Sequence, residues 1–208
     1  MGGLLARALA APRPADVAGL GLLATPWDFH AERKAQAEAL ARAVDASAPL
    51  LEAYGELPVD IIQSMFSALD PFLVTRKFIR FAAAQPGSQA AEAFVALEDW
   101  LNDGVPLSGP VTRECMGGWY GRNTPHGGEW EVAGTAVRPD AVTIPARVLI
   151  PQQDRIVPPA SAQALADALP NVDASSVPLG HIGMVAGSRA QALVWEPLAE
   201  WLHGVSNG

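Results

Sequence analysis

Two polar residues in the last third of the chain have the types and spacing of an acid–histidine pair. Asp154 lies in P-Q-Q-D-R-I-V-P, four residues beyond an apolar run that ends at Ile150, and His181 lies in P-L-G-H-I-G-M. In such a pair the carboxylate holds the imidazole in one tautomer, and the imidazole takes a proton from a nucleophile. Gly180 and Gly183, which flank the histidine, would let its loop pack close to the substrate. The 27-residue spacing therefore predicts Asp154 and His181 as catalytic residues.

Two further residues are weaker candidates for parts of the same site. Asp28, in A-T-P-W-D-F-H, follows an apolar run and is an alternative orienting acid, or a residue that caps the next segment. Cys115 is an alternative nucleophile, because it precedes Asp154 and His181 in the order of a catalytic triad. A nucleophile on a strand-to-helix elbow has a glycine two residues upstream, however, and here that residue is Arg113. Cys115 is therefore expected to pack as a small hydrophobe.

Short apolar runs alternate with helical segments, and this order predicts the elements that position the candidate residues. Buried parallel strands have continuous apolar sequences, which predict strands over residues 17–25 and 146–150. A third strand is predicted over residues 172–177. Helices are predicted over residues 4–10, 31–51, 58–69, 71–84, 88–100, 111–120, 161–169 and 189–202, and a small hairpin over 130–137. Strands and helices alternate as in βαβ units, so the predicted fold class is α/β with a parallel sheet.

The stretch between the first two predicted strands, about 120 residues, is far longer than an ordinary crossover. We expect it to form a mostly helical lid. The predicted organisation is a core helix and strand over residues 1–28, a helical lid or cap over 29–143, and the remaining core, with the acid and histidine loops, over 144–208.

The composition excludes several classes of function. The chain has 208 residues, with 14 basic and 22 acidic side chains and a formal net charge of −8. Such an acidic chain without a basic stripe is a poor candidate for nucleic-acid binding. A single cysteine excludes a disulfide framework, and the absence of metal or nucleotide motifs predicts no cofactor. No apolar run reaches the ~18 residues of a membrane span, and any secretory signal is weak, so a cytoplasmic location is expected.

Several strings, taken together, resemble the C-terminal part of a poly(3-hydroxyalkanoate) synthase-like α/β hydrolase. They are L-L-A-T-P-W-D-F, L-E-D-W-L-N-D-G-V-P-L-S-G-P, I-P-A-R-V-L-I-P-Q-Q-D-R-I-V-P-P and L-G-H-I-G-M-V-A-G, and the resemblance extends from residue 1 to about residue 202. It implies a partial α/β-hydrolase fold in which Asp154 matches the family's acid and His181 its histidine. The family's nucleophile is a cysteine on a G-x-C-x-G-G elbow. Hydroxyacyl-CoA loads this thiol, and transesterification extends a polyester.

The opening M-G-G-L-L resembles the stretch directly after that cysteine. By this resemblance Met1 belongs to the oxyanion region, and the nucleophile would be the residue before Met1. We therefore expect a truncated chain with little or no synthase activity alone. Either the start codon is misplaced, or the gene is truncated, or a second chain supplies the missing part. We also expect poor solubility or a dimer, because the retained strands would expose an apolar edge.

Three functions are compatible with these features. The first is the C-terminal portion of a polyhydroxyalkanoate synthase-like acyltransferase that uses hydroxyacyl-CoA in the cytoplasm, in association with polyester granules. The second is an esterase, thioesterase or polyester depolymerase of the same fold, in which water is the acceptor. The third is a non-catalytic remnant or granule-associated binding protein that uses the apolar lid surface. Fold alone does not fix the chemistry, and a Cys or Ser nucleophile would discriminate the first two.

Overall fold

The computed structural model describes residues 1–206, and its longest strands form one parallel sheet. The strands are β1 Leu20–Leu23, β2 Glu56–Leu57, β3 Leu107–Ser108, β4 Glu131–Val132, β5 Thr135–Ala136, β6 Ala146–Pro151 and β7 Val172–Val177. The parallel sheet has the order β1, β6, β7, while β2 pairs with β3 and β4 with β5 in antiparallel ribbons. The α/β class and the three predicted strands are confirmed. The first strand is shorter than predicted at both ends, and Ala24, with φ of 46°, ends it at Leu23.

Helices make up most of the remaining structure. The α-helices are α1 Gly2–Ala10, α2 Lys34–Asp45, α3 Ala48–Tyr54, α4 Val59–Leu69, α5 Leu73–Ala82, α6 Gln89–Asn102, α7 Gly109–Thr112, α8 Thr124–Gly127, α9 Pro159–Ala168, α10 Gly183–Ala186 and α11 Glu196–Ser206. Arg113–Arg122 and Gln191–Trp195 are π-helical, and Pro139–Ala141 is a 3₁₀ turn. Within residues 1–206, no helix combines the length and apolar character needed to cross a membrane. The same residues contain no cluster of three or more His, Cys, Asp or Glu side chains suited to a metal ion.

Three predicted helices differ from those observed. The one predicted over residues 111–120 is the end of α7 followed by the π-helix Arg113–Arg122. Residues 31–51 were expected to form one helix, but they form α2 and α3. Glu32, with φ of 61°, delays the start of α2, and Pro49 separates the two helices because its ring crowds the preceding turn and it lacks an N–H. The predicted helix over residues 189–202 begins as a π-helical turn and becomes regular only from α11. Pro197 lies just after that junction, where its missing N–H leaves the ladder irregular.

A two-residue turn closes the predicted hairpin at Gly134. Ala133 and Gly134 have φ values of 51° and 75°, which are the left-handed conformations that a type I′ turn requires at both central positions. The Val137 N–H donates to the Trp130 carbonyl at 2.8 Å and extends the ribbon. The hairpin prediction is confirmed.

The chain divides into two compact units. One contains residues 1–45 together with the residues from Cys115 onward, and the other is Ala46–Glu114. The first unit contains the parallel sheet, and the second contains α3 to α7 with the β2–β3 ribbon. The second unit falls inside the predicted lid, whose limits at residues 29 and 143 stay a prediction. The last two residues of the predicted segment 144–208 lie outside the described residues.

Apolar side chains from α1, the sheet and α9 build the core of the first unit. Leu4, Leu22, Val148 and Leu165 are all 0% exposed and belong to one cluster. Leu4 lies in α1 and Leu165 in α9, while Leu22 and Val148 lie in strands β1 and β6. The cluster therefore packs the two helices against the two strands. Strand β6 is almost completely buried because it is the central strand.

Helix α1 also buries an arginine that the sequence pattern did not single out. Arg7 is 0% exposed, its guanidinium lies 4.2 Å from the centroid of the Trp27 ring, and Nη2 donates to the Val137 carbonyl at 3.4 Å. Burial lowers the pKa of Arg7 to about 10, while the charge of Asp140 acts in the opposite direction. The cation–π contact fixes Trp27, and with it the turn that follows β1, against α1.

Two neighbouring leucines on α1 give a matched test of this packing. Leu4 is 0% exposed and Leu5 is 56% exposed. Leu4→Ala should lower the free energy of unfolding by about 2–5 kcal/mol, because it leaves a cavity in the core. Leu5→Ala should change it by about 0.5 kcal/mol or less, as exposed substitutions do. Urea unfolding followed by circular dichroism measures both, and equal losses would contradict the orientation of α1.

Candidate active site

Asp154 and His181 follow neighbouring parallel strands, Asp154 after β6 and His181 after β7, and they are in direct contact. His181 Nδ1 lies 2.6 Å from Asp154 Oδ2. An ionised carboxylate only accepts hydrogen bonds, so Nδ1 donates and the neutral imidazole carries its proton there. The Asp154 side chain is 0% exposed, whereas 32% of the His181 side chain is exposed. Nε2 is therefore the ring nitrogen that can take a proton from a nucleophile.

The second oxygen of Asp154 is fixed by its own loop. Oδ1 accepts hydrogen bonds from the backbone N–H groups of Ile156 at 2.8 Å and Val157 at 2.9 Å. These bonds form an Asx-type turn, which holds the carboxylate plane in one orientation. Because both oxygens have donors, the buried charge is compensated and Oδ2 is aimed at the imidazole.

Backbone contacts hold the acid loop against the histidine loop. The Gln153 N–H donates to the Leu179 carbonyl at 2.9 Å. A Cβ on Gly180 would lie 3.3 Å from the Gln153 carbonyl oxygen, so the close approach of the two loops favours glycine there. A Cβ on Gly183 would meet no atom within 4 Å. The packing of both glycines against a substrate stays a prediction.

Asp28 follows β1 but is bonded to a different set of groups. Its Oδ1 accepts from the backbone N–H of His30 at 2.9 Å and from Asn123 Nδ2 at 2.8 Å. Asn123 Oδ1 in turn accepts from the Phe29 N–H at 2.9 Å. The structure thus brings Asp28 to Asn123 and Asp154 to His181. These contacts support a structural role for Asp28, which is to hold the segment after β1 in place.

Asn123 and Tyr120 complete this bracing, and neither has an obvious pattern in the sequence. Asn123 has φ of 57°, a left-handed conformation that Asn adopts more readily than most residues. His30 Nε2 lies 2.9 Å from the Tyr120 carbonyl oxygen, and the Phe29 and Tyr120 rings meet edge to face at 5.0 Å. Burial raises the pKa of the Tyr120 hydroxyl, and Cys115 adds to this effect. The N-T-P string after Asn123 was a turn signal that could have indicated this position.

Cys115 and Met1, the other candidate site residues, belong to the same unit. Cys115 is 3% exposed and lies in the π-helix Arg113–Arg122, in the core cluster that includes Leu4 and Trp119. A helix precedes it, so it is not on a strand-to-helix elbow. Met1 is 46% exposed and directly precedes α1. Its role in an oxyanion region and the role of Cys115 as a nucleophile stay predictions.

Two further hydrogen bonds join the segment after β1 to the loop and helix that follow β6. The Trp27 N–H donates to Ser161 Oγ at 3.2 Å, and Ser161 is 1% exposed. Arg33 Nη1 donates to the Arg155 carbonyl at 2.8 Å. Since Arg155 is next to Asp154, the exits of all three parallel strands are tied together.

The sheet order, with an acid after one strand and its histidine after the next, defines an α/β-hydrolase core, and solved structures share this fold. BpoC from Mycobacterium tuberculosis has a TM-score of 0.53 and 18% identity, over 98% of this chain and 64% of its own. An esterase from Thermogutta terrifontis has a TM-score of 0.52 and 20% identity, over 98% and 62%. Because the sequence identities are this low, the structural similarity shows the fold alone. It confirms the predicted α/β-hydrolase fold.

Sequence comparison adds a narrower resemblance, to PhaC polymerase subunits. It is similar to the poly(3-hydroxyalkanoate) polymerase subunit PhaC of Haloarcula marismortui, with 29% identity over 76% of this chain and 34% of that protein. The PhaC subunits of a Synechocystis species and of Allochromatium vinosum are 28% and 25% identical over 97% of this chain, and 55% and 57% of theirs. No family model matches the chain. The resemblance is confirmed, over about a third to just over half of each relative's length.

The tautomers of two histidines test the geometry of the pair. Neutral His181 should carry its proton on Nδ1, whereas His30 should carry it on Nε2, because Nε2 faces a carbonyl oxygen. In Asp154→Asn, the two backbone N–H groups at Oδ1 should select the amide oxygen and turn the NH₂ group toward His181. His181 should then change to the Nε2–H tautomer.

Long-range ¹⁵N–¹H correlation spectra at roughly pH 8.5, above the ordinary histidine pKa, distinguish the tautomers. His30 is the internal control, because its bond to the Tyr120 carbonyl is untouched by the substitution. A His181 that is already protonated on Nε2 in the unsubstituted chain would contradict the proposed pair.

The burial of Cys115 predicts a slow thiol reaction. It is the only cysteine, so thiol titration reports on it alone. Structural cysteines that are buried react slowly with thiol reagents, because the reagent cannot reach the sulfur. We expect slow modification by an aromatic disulfide in native buffer and rapid, stoichiometric modification in urea. Rapid native modification would instead favour Cys115 as an accessible nucleophile.

Proposed function

We propose that the chain supplies the acid–histidine machinery of a poly(3-hydroxyalkanoate) synthase-like acyltransferase. The supporting observation is the 2.6 Å contact between Asp154 and His181, in a chain whose relatives are PhaC polymerase subunits. The substrate class is a hydroxyacyl-CoA thioester and the product a polyester. Association with polyester granules is part of the same proposal.

In the first half-reaction, His181 acts as a general base toward a thiol. The resemblance assigns this thiol to a residue adjoining Met1 on its amino side. The thiol proton passes to Nε2, the thiolate sulfur attacks the thioester carbonyl carbon, and the bond from that carbon to the CoA sulfur breaks. CoA leaves with the proton from the imidazolium. Asp154 stabilises the imidazolium without taking its proton.

In the second half-reaction, the same nitrogen activates a hydroxyl group. The hydroxyl of a hydroxyacyl group gives its proton to Nε2, and its oxygen attacks the acyl group on the thiol. The new ester bond forms while the enzyme sulfur leaves and recovers the proton. Water in place of that hydroxyl would give hydrolysis by the same residues, so the acceptor decides between synthase and esterase or depolymerase chemistry.

Release of CoA from 3-hydroxybutyryl-CoA tests the proposal. The assay compares the chain with a polypeptide that extends it at the amino end by the upstream reading frame. In the extended polypeptide, Asp154→Asn should reduce kcat by about 10⁴-fold, the loss seen when a triad acid becomes an amide. Asp28→Asn is the matched control and should retain activity, because Asp28 is bonded to Asn123 and His30.

The outcomes separate the alternatives. No CoA release by the extended polypeptide would contradict acyl transfer, and unaltered activity in Asp154→Asn would contradict the site. Release of free 3-hydroxybutyrate without polymer would support a thioesterase instead. Loss of activity in Asp28→Asn, with Asp154→Asn active, would make Asp28 the orienting acid.

A further inference from the structure

One face of α6, with Phe81 of α5 and the loop between the two helices, lines an open groove within the unit formed by residues 46–114. Its volume is about 450 Å³, within the range of ligand sites. Apolar residues form most of its lining: Phe81, Pro86, Ala91, Val95 and Ala96. The ring of Phe81 stacks on Phe94 with centroids 4.4 Å apart and planes at 16°. One wall is therefore a fixed aromatic surface, and Val95, which is 46% exposed, stands in the open part.

All the charged residues that line the groove are acidic. Glu92 and Asp99 belong to its lining, and no lining residue is cationic in the part of the chain that the structure describes. Residues 46–114 carry nine acidic and four basic side chains. Two of the four cations are already paired, Arg76 with Asp70 and Lys77 with Glu98. The field around the groove is therefore negative.

This combination disfavours anionic occupants and offers an apolar surface. Multiply charged phosphate groups make CoA thioesters anionic, so the acidic lining repels the thioester substrate. It also repels anionic lipid and a second copy of this acidic unit. A polyester chain is apolar, has ester carbonyls and carries no charge along its length. We propose that the groove binds the uncharged polyester chain and not the CoA thioester, an inference that rests on the proposed function.

Binding of a capped oligomer tests this groove directly. The probe is an oligo(3-hydroxybutyrate) with both ends capped as neutral groups, titrated into the whole chain and followed by the methyl resonances of Val95 and Ala91. Val95→Asp should weaken binding by at least about tenfold, because it places a charge in the apolar lining. Val105→Asp is the matched control, since Val105 is 77% exposed and does not line the groove. It should bind as the unsubstituted chain does.

A second arm tests the charge selection. The same oligomer with a free terminal carboxylate should bind more weakly than the capped one, and the double variant Glu92→Gln, Asp99→Asn should remove that difference. Equal binding to Val95→Asp, competition by 3-hydroxybutyryl-CoA, or binding of phosphatidylglycerol vesicles would overturn the proposal. A concentration-dependent dimer that Val95→Asp abolishes would also overturn it, in favour of self-association.

The groove and the proposed reaction can fail separately. Asp154→Asn should bind the capped oligomer as tightly as the unsubstituted chain, because Asp154 is in the other unit. If CoA release fails while groove binding persists, the acyltransfer proposal falls and the binding site stands. If CoA release succeeds and the groove binds no ester, only the groove proposal falls.

Discussion

A buried carboxylate is the constraint on which the site depends. The Asp154 side chain is 0% exposed, and an isolated charge in such surroundings is costly unless it is paired and hydrogen-bonded. The chain supplies two backbone N–H groups at one oxygen and the His181 ring at the other. Both sets of donors must be in place together. This requirement couples the acid loop to the histidine loop, and couples both to the pairing of β6 with β7.

The parallel sheet meets the requirement through register. Leu149 lies opposite Ser175 and Pro151 opposite Val177, so the two loops leave the sheet side by side. Backbone bonds between the loops continue that alignment beyond the strands. Strand β1 on the other side of β6 brings Trp27 to Ser161, which joins the third strand exit to the same edge. The pairing of the strands and the backbone bonds between the loops thus place the two loops side by side.

Local sequence signals predicted most of the elements and the central pair. Apolar runs identified β1 and β6, and the acid-then-histidine order identified Asp154 and His181, because both signals lie in short contiguous strings. Strand β7, V-D-A-S-S-V, is not an apolar run. The division of residues 31–51 into two helices was missed, although Pro49 was visible. The contacts of Asp28 with Asn123 and of Arg7 with Trp27 could not be predicted, because they join residues distant in the chain. Pairings of that kind depend on packing, which a single sequence does not report.

The PhaC relatives and the geometry address different parts of the function. The proposed acyl transfer draws on relatives that are poly(3-hydroxyalkanoate) polymerase subunits. The geometry indicates a base at His181 Nε2 held by Asp154. The same base would serve a hydrolase, so the nucleophile and the acceptor distinguish the chemistries. A charge-selective groove in the second unit would add discrimination between an anionic substrate and an uncharged product.

A double-mutant cycle on CoA release tests the central claim most directly. Residues that act as one catalytic unit have strongly non-additive effects. In the extended polypeptide, Asp154→Asn combined with His181→Gln should therefore be no slower than His181→Gln alone. If the two losses instead multiply, Asp154 and His181 act independently, and the account of the site is wrong.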